Sequence, residues 1–130
     1  MHRMFLVNDV SDVFEQLTAI MAKLAEMDDI RTAVLSTEDG LSIQRIAPSD
    51  PQLAAIAGFM LTTAQQAFSM MGLDAANEVV IRSQDRQMIV CRSFMVSGSR
   101  AILTIVFKQQ VPYEQLVEQT VATIRQAMEK

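Results

Sequence analysis

Residues 30–46 read IRTAVLSTEDGLSIQRI, two runs rich in β-branched residues on either side of Asp39-Gly40. Glycine readily adopts the positive φ that a tight hairpin turn requires, so this stretch predicts a β-hairpin. In the second run, LSIQRI, apolar and polar residues alternate imperfectly, which leaves one half-polar face. That pattern is typical of a strand at the edge of a sheet.

The next stretch, PQLAAIAGFMLTTAQQAFSMMGL at residues 51–73, has no charged residue, although charged residues make up 20% of the 130-residue chain. A membrane span of this length would be flanked by basic residues, whereas Asp50 and Asp74 flank this one and polar side chains interrupt it. We therefore expect a soluble helix capped by Ser49 or Asp50. Pro51 would take its first position and Gly72 would end it.

The other elements follow from periodicity. The segment SDVFEQLTAIMAKLAEM (11–27) predicts a first helix capped by Ser11 or Asp12, after a frayed terminus that carries His2. EVVIRS (78–83), QMIVCRSF (87–94) and RAILTIVF (100–107) predict three strands, and Pro112 opens a last amphipathic helix. Turns this short join antiparallel neighbours, and the last two strands are apolar on both faces.

The predicted order is thus α-β-β-α-β-β-β-α in one domain spanning residues 1–130, with a core from about 10 to 128. The fold class is α/β in the broad sense, or α+β by layers: a five-stranded antiparallel sheet with two helices on one face and one on the other.

The composition argues against several functions. The net charge is −4 and the basic residues are scattered, which disfavours nucleic acid. His2 is the only histidine, Cys91 lies in an apolar strand, and the chain has no glycine-rich phosphate-binding motif. Met21, Met60 and Met88 fit core positions. We expect a protein without catalytic residues, metal or cofactor. The single cysteine and the lack of a signal-peptide pattern favour the cytoplasm.

A helical wheel divides residues 52–73 into two arcs. The arc predicted to pack on the sheet contains Leu53, Ile56, Ala57, Met60, Leu61, Ala64, Ala67, Phe68 and Met71. The opposite arc contains Ala55, Gly58, Thr62, Gln65 and Ser69, with Phe59 and Gln66 beside it. These five positions step by three and four residues, as in a coiled-coil seam. A water-facing arc would carry charge, so we expect contact with the same helix of a second subunit, and the alternative is an exposed helix that lacks charge by chance.

Three features resemble a known family: the strand–Asp-Gly–strand unit TAVLSTEDGLSIQRI, the alanine-rich helix AAIAGFMLTTAQQAF, and the strand pair that ends in RAILTIVF before an amphipathic helix. Together they resemble Roadblock / dynein light chain domains, close to the bacterial MglB-like members, from about Val10 to Met128. The resemblance implies two-fold homodimers that pair the second helix and third strand into a ten-stranded sheet, and that regulate or position Ras-like small GTPases without being enzymes. The implied interface comprises Ala55, Gly58, Phe59, Thr62, Gln65, Gln66, Ser69, Val79 and Ile81.

The sequence shows no evident arginine finger, since Arg82, Arg86 and Arg92 lie on or beside predicted strands. The leading hypothesis is therefore a cytoplasmic dimer that binds a small GTPase and modulates its activity or location. The alternative is a small-molecule sensor of similar architecture, which the scarcity of polar residues on the inner faces disfavours.

Overall fold

The computed structural model describes residues 2–46 and 51–129, and their element order confirms the predicted one. The elements are α1 (His2–Ala25), β1 (Ile30–Thr37), β2 (Ser42–Arg45), α2 (Leu53–Met70), β3 (Glu78–Arg82), β4 (Met88–Val96), β5 (Ser99–Phe107) and α3 (Glu114–Met128).

The five strands form one antiparallel sheet in the order β2-β1-β5-β4-β3. β2 is an edge strand, as predicted, and β3 forms the other edge. The β1–β2 turn contains Gly40 at φ +90, the conformation that the Asp-Gly pair predicts. The two turns from β3 to β4 and from β4 to β5 join antiparallel neighbours, again as predicted.

The helices cover both faces of the sheet. Along β4, Met88 and Val90 point to a core shared with α1 and α3, whereas Cys91 and the half-buried Ile89 point to α2. This is the two-residue period of a strand buried on both sides. The predicted arrangement of two helices on one face and one on the other is thus what the core contacts show.

Several predicted helix ends are wrong. α1 begins at His2, so Ser11 and Asp12 lie inside it and His2 opens it. No glycine or proline interrupts residues 2–12, and nothing therefore stops the helix from continuing towards the N-terminus.

α2 begins at Leu53 and has Gln52 at its N-cap, so Pro51 precedes the helix and does not occupy its first position. The predicted caps Ser49 and Asp50 lie outside the described residues. α3 likewise begins at Glu114, after Pro112.

The C-terminal end of α2 confirms the predicted stop. Gly72 has φ +71. Its N–H donates to the Ser69 carbonyl (3.1 Å), and the Leu73 N–H donates to the Phe68 carbonyl (2.9 Å). This pair of hydrogen bonds defines a Schellman motif, which favours glycine because the chain turns left-handed there.

Among residues 2–46 and 51–129, none of the helices combines the length and the apolar character that crossing a bilayer requires. Met21, Met88 and Cys91 are buried in the core as predicted, and Met60 is half-buried against the α2 side of the sheet.

Candidate dimer interface

The inner side of α2 consists mainly of small residues. The buried positions of this helix are Leu53, Ala54, Ala57, Gly58 and Leu61. Ala54 and Ala57 have 1% and 0% of their surface exposed, and they let the helix axis approach the sheet closely. The side of α2 that contacts its own protomer is therefore defined by the two leucines and the small residues between them.

Gly58 lies at the closest approach between α2 and the β1–β2 turn. A Cβ atom at this position would be 2.9 Å from the carbonyl oxygen of Glu38. Gln65 also turns inward, because its Oε1 accepts a hydrogen bond from the Ala76 N–H at 2.9 Å. Both residues were predicted to face a second subunit, and the structure instead engages both of them within the protomer.

The outer side of α2 is a stripe that steps by three and four residues. Its members, which we call the α2 stripe, are Ile56, Phe59, Thr63, Gln66 and Met70. Phe59 and Met70 have 71% and 89% of their surface exposed. The α2 stripe has the spacing of a coiled-coil seam and bears no charge.

The α2 stripe is rotated by about a quarter turn of helix from the predicted seam. Leu53, Ala57 and Leu61 pack inward as predicted. The predicted sheet-facing arc is wrong at four positions, which are exposed: Ile56, Ala67, Phe68 and Met71. Of the predicted interface residues on α2, those exposed are Ala55, Phe59, Thr62, Gln66 and Ser69.

Large exposed apolar side chains cluster on and beside this helix. Seven of the eleven found among the described residues belong to α2, to the segment that follows it, or to β3. Ile56, Phe59 and Met70 belong to the α2 stripe and Ile81 to β3, and we call these four the apolar surface. Phe68 lies on the opposite side of the helix from Phe59, and Met71 and Leu73 follow the end of α2. Clusters of this kind mark interaction sites more often than isolated exposed side chains do.

β3 continues the apolar surface to the edge of the sheet. Val79 is half-buried beneath α2, and Ile81, two residues further along the strand, lies on the same side with 42% of its surface exposed. Within the described chain β3 pairs with β4 alone, so its other edge is open.

An ion-pair network fixes β3 from the opposite side of the sheet. Arg92 on β4 contacts Glu78 Oε1 at 3.1 Å and also pairs with Glu118 on α3. The Tyr113 hydroxyl donates to Glu78 Oε2 at 3.0 Å. Arg92 therefore has a structural partner on each side, whereas the side chain of Arg82 is exposed.

The pKa values of two members of the network report these contacts. Burial alone would lower the pKa of Arg92, but the hydrogen bonds and charges of Glu118 and Glu78 outweigh it and raise that pKa. The pKa of Tyr113 is raised mainly by burial, and further by its hydrogen bond to the charged Glu78. Both groups therefore stay protonated at neutral pH, where each can donate its hydrogen bonds.

A cleft of about 390 Å³ opens between α2, the β1–β2 turn and the sheet. Several of the polar side chains that line it already have partners. Arg100 donates to Ser93 Oγ at 2.9 Å and lies 3.9 Å from the Glu38 carboxylate, while Gln65 accepts from the Ala76 N–H. A ligand in this cleft would have to displace those bonds.

Reactive groups are sparse in the part of the chain that the structure describes. No three or more His, Cys, Asp or Glu side chains come together there as a metal site would need. Burial raises the pKa of the Cys91 thiol to about 11, so this thiol is protonated and a poor nucleophile.

Solved structures of known proteins share this fold. The gliding protein MglB from Thermus thermophilus has a TM-score of 0.72 and 18% identity, over 90% of this chain and 91% of that chain. An MglB with a tetrameric arrangement also scores 0.72 at 18% identity, over 90% of each chain. A Roadblock/LC7 domain from Streptomyces avermitilis scores 0.67 at 18% identity, over 82% of this chain and 90% of that chain.

These likenesses confirm that the chain has the fold of Roadblock domains, as the resemblance in sequence implied. No protein-family model matches the sequence, and no curated protein is significantly similar to it.

Proposed function

We propose that this chain forms a two-fold homodimer through α2 and β3, and that the dimer regulates or positions a Ras-like small GTPase in the cytoplasm without being an enzyme itself. The observation that carries this proposal is the apolar surface, which adjoins the open edge of β3 on a Roadblock fold. A second copy that covers both at once satisfies the exposed apolar side chains and the unpaired strand together.

The proposed interface differs from the predicted one by a rotation of about a quarter turn around the axis of α2. It keeps Ala55, Phe59, Thr62, Gln66, Ser69, Val79 and Ile81, omits Gly58 and Gln65, and gains Ile56, Thr63 and Met70. Gly58 and Gln65 are omitted because each already contacts its own protomer.

Phe59 is expected to be the strongest single contact. Its ring exposes 71% of its surface, and an aromatic side chain buries roughly 150–250 Å² when covered. Complete burial would therefore remove roughly 100–180 Å² from water, worth about 3–4 kcal/mol per copy as an upper bound. Since a dimer through this face buries Phe59 once in each copy, replacing this residue should weaken the dimer strongly.

The dimer is tested by replacing Phe59 with glutamate and measuring sedimentation velocity over a range of concentrations. We expect the wild type to be dimeric and Phe59→Glu to be monomeric, with circular dichroism unchanged. Phe14→Glu is the matched control, because Phe14 exposes 62% of its surface on α1, on the other side of the sheet. A wild-type monomer, or equal behaviour of the two variants, would contradict the proposed interface.

The GTPase is proposed from the resemblance to Roadblock domains. The test uses purified small GTPases of the source organism, loaded with GDP or with a non-hydrolysable GTP analogue, and measures their binding to the immobilised dimer. We expect one of them to bind, with different affinities for its two nucleotide states. Binding of none in either state would overturn this part of the proposal and leave the dimer intact.

The cleft beside Arg100 supports a small-molecule sensor as the second candidate. Its discriminating variant is Arg100→Ala, which removes the hydrogen bond to Ser93 Oγ. If a metabolite screen found a ligand that raises the melting temperature of the wild type and not of Arg100→Ala, the sensor would be favoured over the GTPase regulator.

A further inference from the structure

The backbone of β3 presents a definite set of groups to the open edge. The Asn77 carbonyl accepts from the Ser93 N–H at 2.8 Å, and the Ser83 N–H donates to the Gln87 carbonyl at 2.9 Å. Residues 77 and 83 therefore direct their peptide groups towards β4, as do the odd-numbered residues between them. The N–H and C=O groups of the even-numbered residues Glu78, Val80 and Arg82 consequently point away from β4, into the open edge.

A two-fold axis restricts how a second β3 can use these groups. The axis stands perpendicular to the sheet, so the α2 side of one copy continues as the α2 side of the other. Directly opposed residues of antiparallel strands lie on the same side. Odd-numbered residues must therefore oppose odd-numbered ones, and the axis must pass through a residue of β3 and not between two residues.

Among these registers, only the one centred on Val80 uses the whole strand. It opposes Val80 to itself and residue 78 to residue 82, so all six outward N–H and C=O groups find partners. Centring on Val79 or Ile81 opposes only two of the three outward residues, which pairs four groups of each copy and leaves two unpaired.

The charges of the strand fit the same register. Glu78 belongs to a cluster in which Arg92 is shared with Glu118, so two carboxylates face one guanidinium and the cluster is one cation short. Arg82 is exposed and forms no ion pair within the described chain. In the Val80-centred register each Glu78 stands directly opposite the second copy's Arg82. The cluster of each copy then receives the one cation that it lacks.

We propose that two copies of this chain join their β3 strands in a register centred on Val80, selected by reciprocal pairing of Glu78 with the second copy's Arg82. The proposal rests on the homodimer proposed above and adds its register and the residues that specify it. On the α2 side the same register sets Val79 opposite the second copy's Ile81, which continues the apolar surface across the junction.

Single-cysteine variants test the register. Opposed residues of a hydrogen-bonded antiparallel pair have Cα atoms about 5.5 Å apart, within the range of a disulfide. Val80→Cys should therefore give a covalent dimer on mild oxidation. Val79→Cys and Ile81→Cys should not cross-link. In this register residue 79 opposes residue 81 of the second copy, so two identical cysteines would be diagonal neighbours about 7–8 Å apart. The native Cys91 is buried and does not compete. Cross-linking of Val79→Cys or Ile81→Cys in place of Val80→Cys would overturn the proposal.

Charge reversal tests the selecting pair without a new thiol. Arg82→Glu places a carboxylate against the second copy's Glu78, and we expect the dimer dissociation constant to rise about tenfold or more at about 0.1 M salt. The effect should shrink at about 1 M salt, where the Debye length is roughly 3 Å. Arg45→Glu, the same change on the opposite edge strand β2, should leave the dissociation constant unchanged. Equal effects of Arg82→Glu and Arg45→Glu would contradict the proposed pairing.

The outcomes separate this proposal from the one on which it rests. A wild-type chain that sediments as a monomer removes both. A wild-type dimer that Phe59→Glu dissociates, but that Val80→Cys does not cross-link and Arg82→Glu does not weaken, removes the register alone.

Discussion

Substitution of Gly58 tests the orientation of α2 most directly. At this position a Cβ atom would lie 2.9 Å from the Glu38 carbonyl oxygen and 3.8 Å from its carbon. The obstacle is backbone in the β1–β2 turn, which is held by hydrogen bonds from the Thr37 N–H to Leu41 and from the Gly40 N–H to Thr37. A side chain at 58 must therefore displace the turn, because it cannot rotate away from it.

Two opposing effects determine the stability of Gly58→Ala. Alanine stabilises a helix interior by roughly 1 kcal/mol relative to glycine. Inserting a methyl group into a closely packed site costs typically about 1–3 kcal/mol. We expect the second effect to prevail and the variant to be less stable by about 1 kcal/mol. Gly58→Arg, which must also accommodate a long charged side chain, should lose about 3 kcal/mol or more.

Urea denaturation at one fixed protein concentration measures both variants, since dimerisation would otherwise shift the midpoints. Gln119→Ala is the control: Gln119 is exposed on α3, outside the proposed interface, and alanine there should be neutral or slightly stabilising. A Gly58→Arg variant that unfolds at the wild-type midpoint and sediments as a monomer would refute the inward orientation of Gly58. Gly58 would then face a partner, as the sequence predicted.

Two further predictions concern ionisation. Burial raises the pKa of Cys91 from 9.0 to about 11 in the folded chain, so the wild type should lose roughly 3 kcal/mol of folding free energy as the pH rises from about 9 through about 11. In urea denaturation between pH about 8 and 11, Cys91→Ala should lose much less over the same range, and an equal loss would contradict a buried neutral thiol. Tyr113 is the only tyrosine, so a titration followed by ultraviolet absorbance reports the ionisation of this residue alone. The midpoint of the titration should lie above 10.0, and it should fall in Glu78→Gln, because that change removes a hydrogen bond and a charge that raise the pKa of Tyr113. Glu118→Gln serves as the control.

The strands, their order along the chain and three of the four strand pairings could be predicted from sequence because their determinants are local. Two-residue alternation, the Asp-Gly turn and the short connections between residues 78 and 107 fix the antiparallel pairing of β1 with β2, of β3 with β4 and of β4 with β5. The pairing of β1 with β5 joins segments far apart in the chain and was not predicted. The start of α1 was missed for an equally local reason. Ser11 and Asp12 have the chemistry of a cap, but nothing before them breaks the helix, and a longer helix keeps more backbone hydrogen bonds.

The orientation of α2 could not be predicted in this way. A helical wheel assigns the inner face to the bulkier apolar residues, and on that basis Ile56 and Phe68 were placed against the sheet. The structure exposes 45% and 37% of their surfaces and buries Ala54 and Gly58 in their place. What decides the orientation is the close approach of the β1–β2 turn, a tertiary contact that helical periodicity does not reveal and that admits only small residues.

The burial of small residues and the exposure of large apolar ones on α2 is the strongest reason to expect that both faces of this helix are covered in the assembled protein. A helix that met only its own sheet would gain most by burying its largest apolar side chains, at roughly 25 cal/mol per Å². Here Phe59 and Met70 are left 71% and 89% exposed while alanines are buried. Small inner residues bring the helix close to its sheet and the hairpin turn, and the large outer ones remain for a second surface. The open edge of β3 lies beside these side chains and can pair with the β3 of another copy. We therefore infer that the surface that covers them belongs to a second copy of this chain.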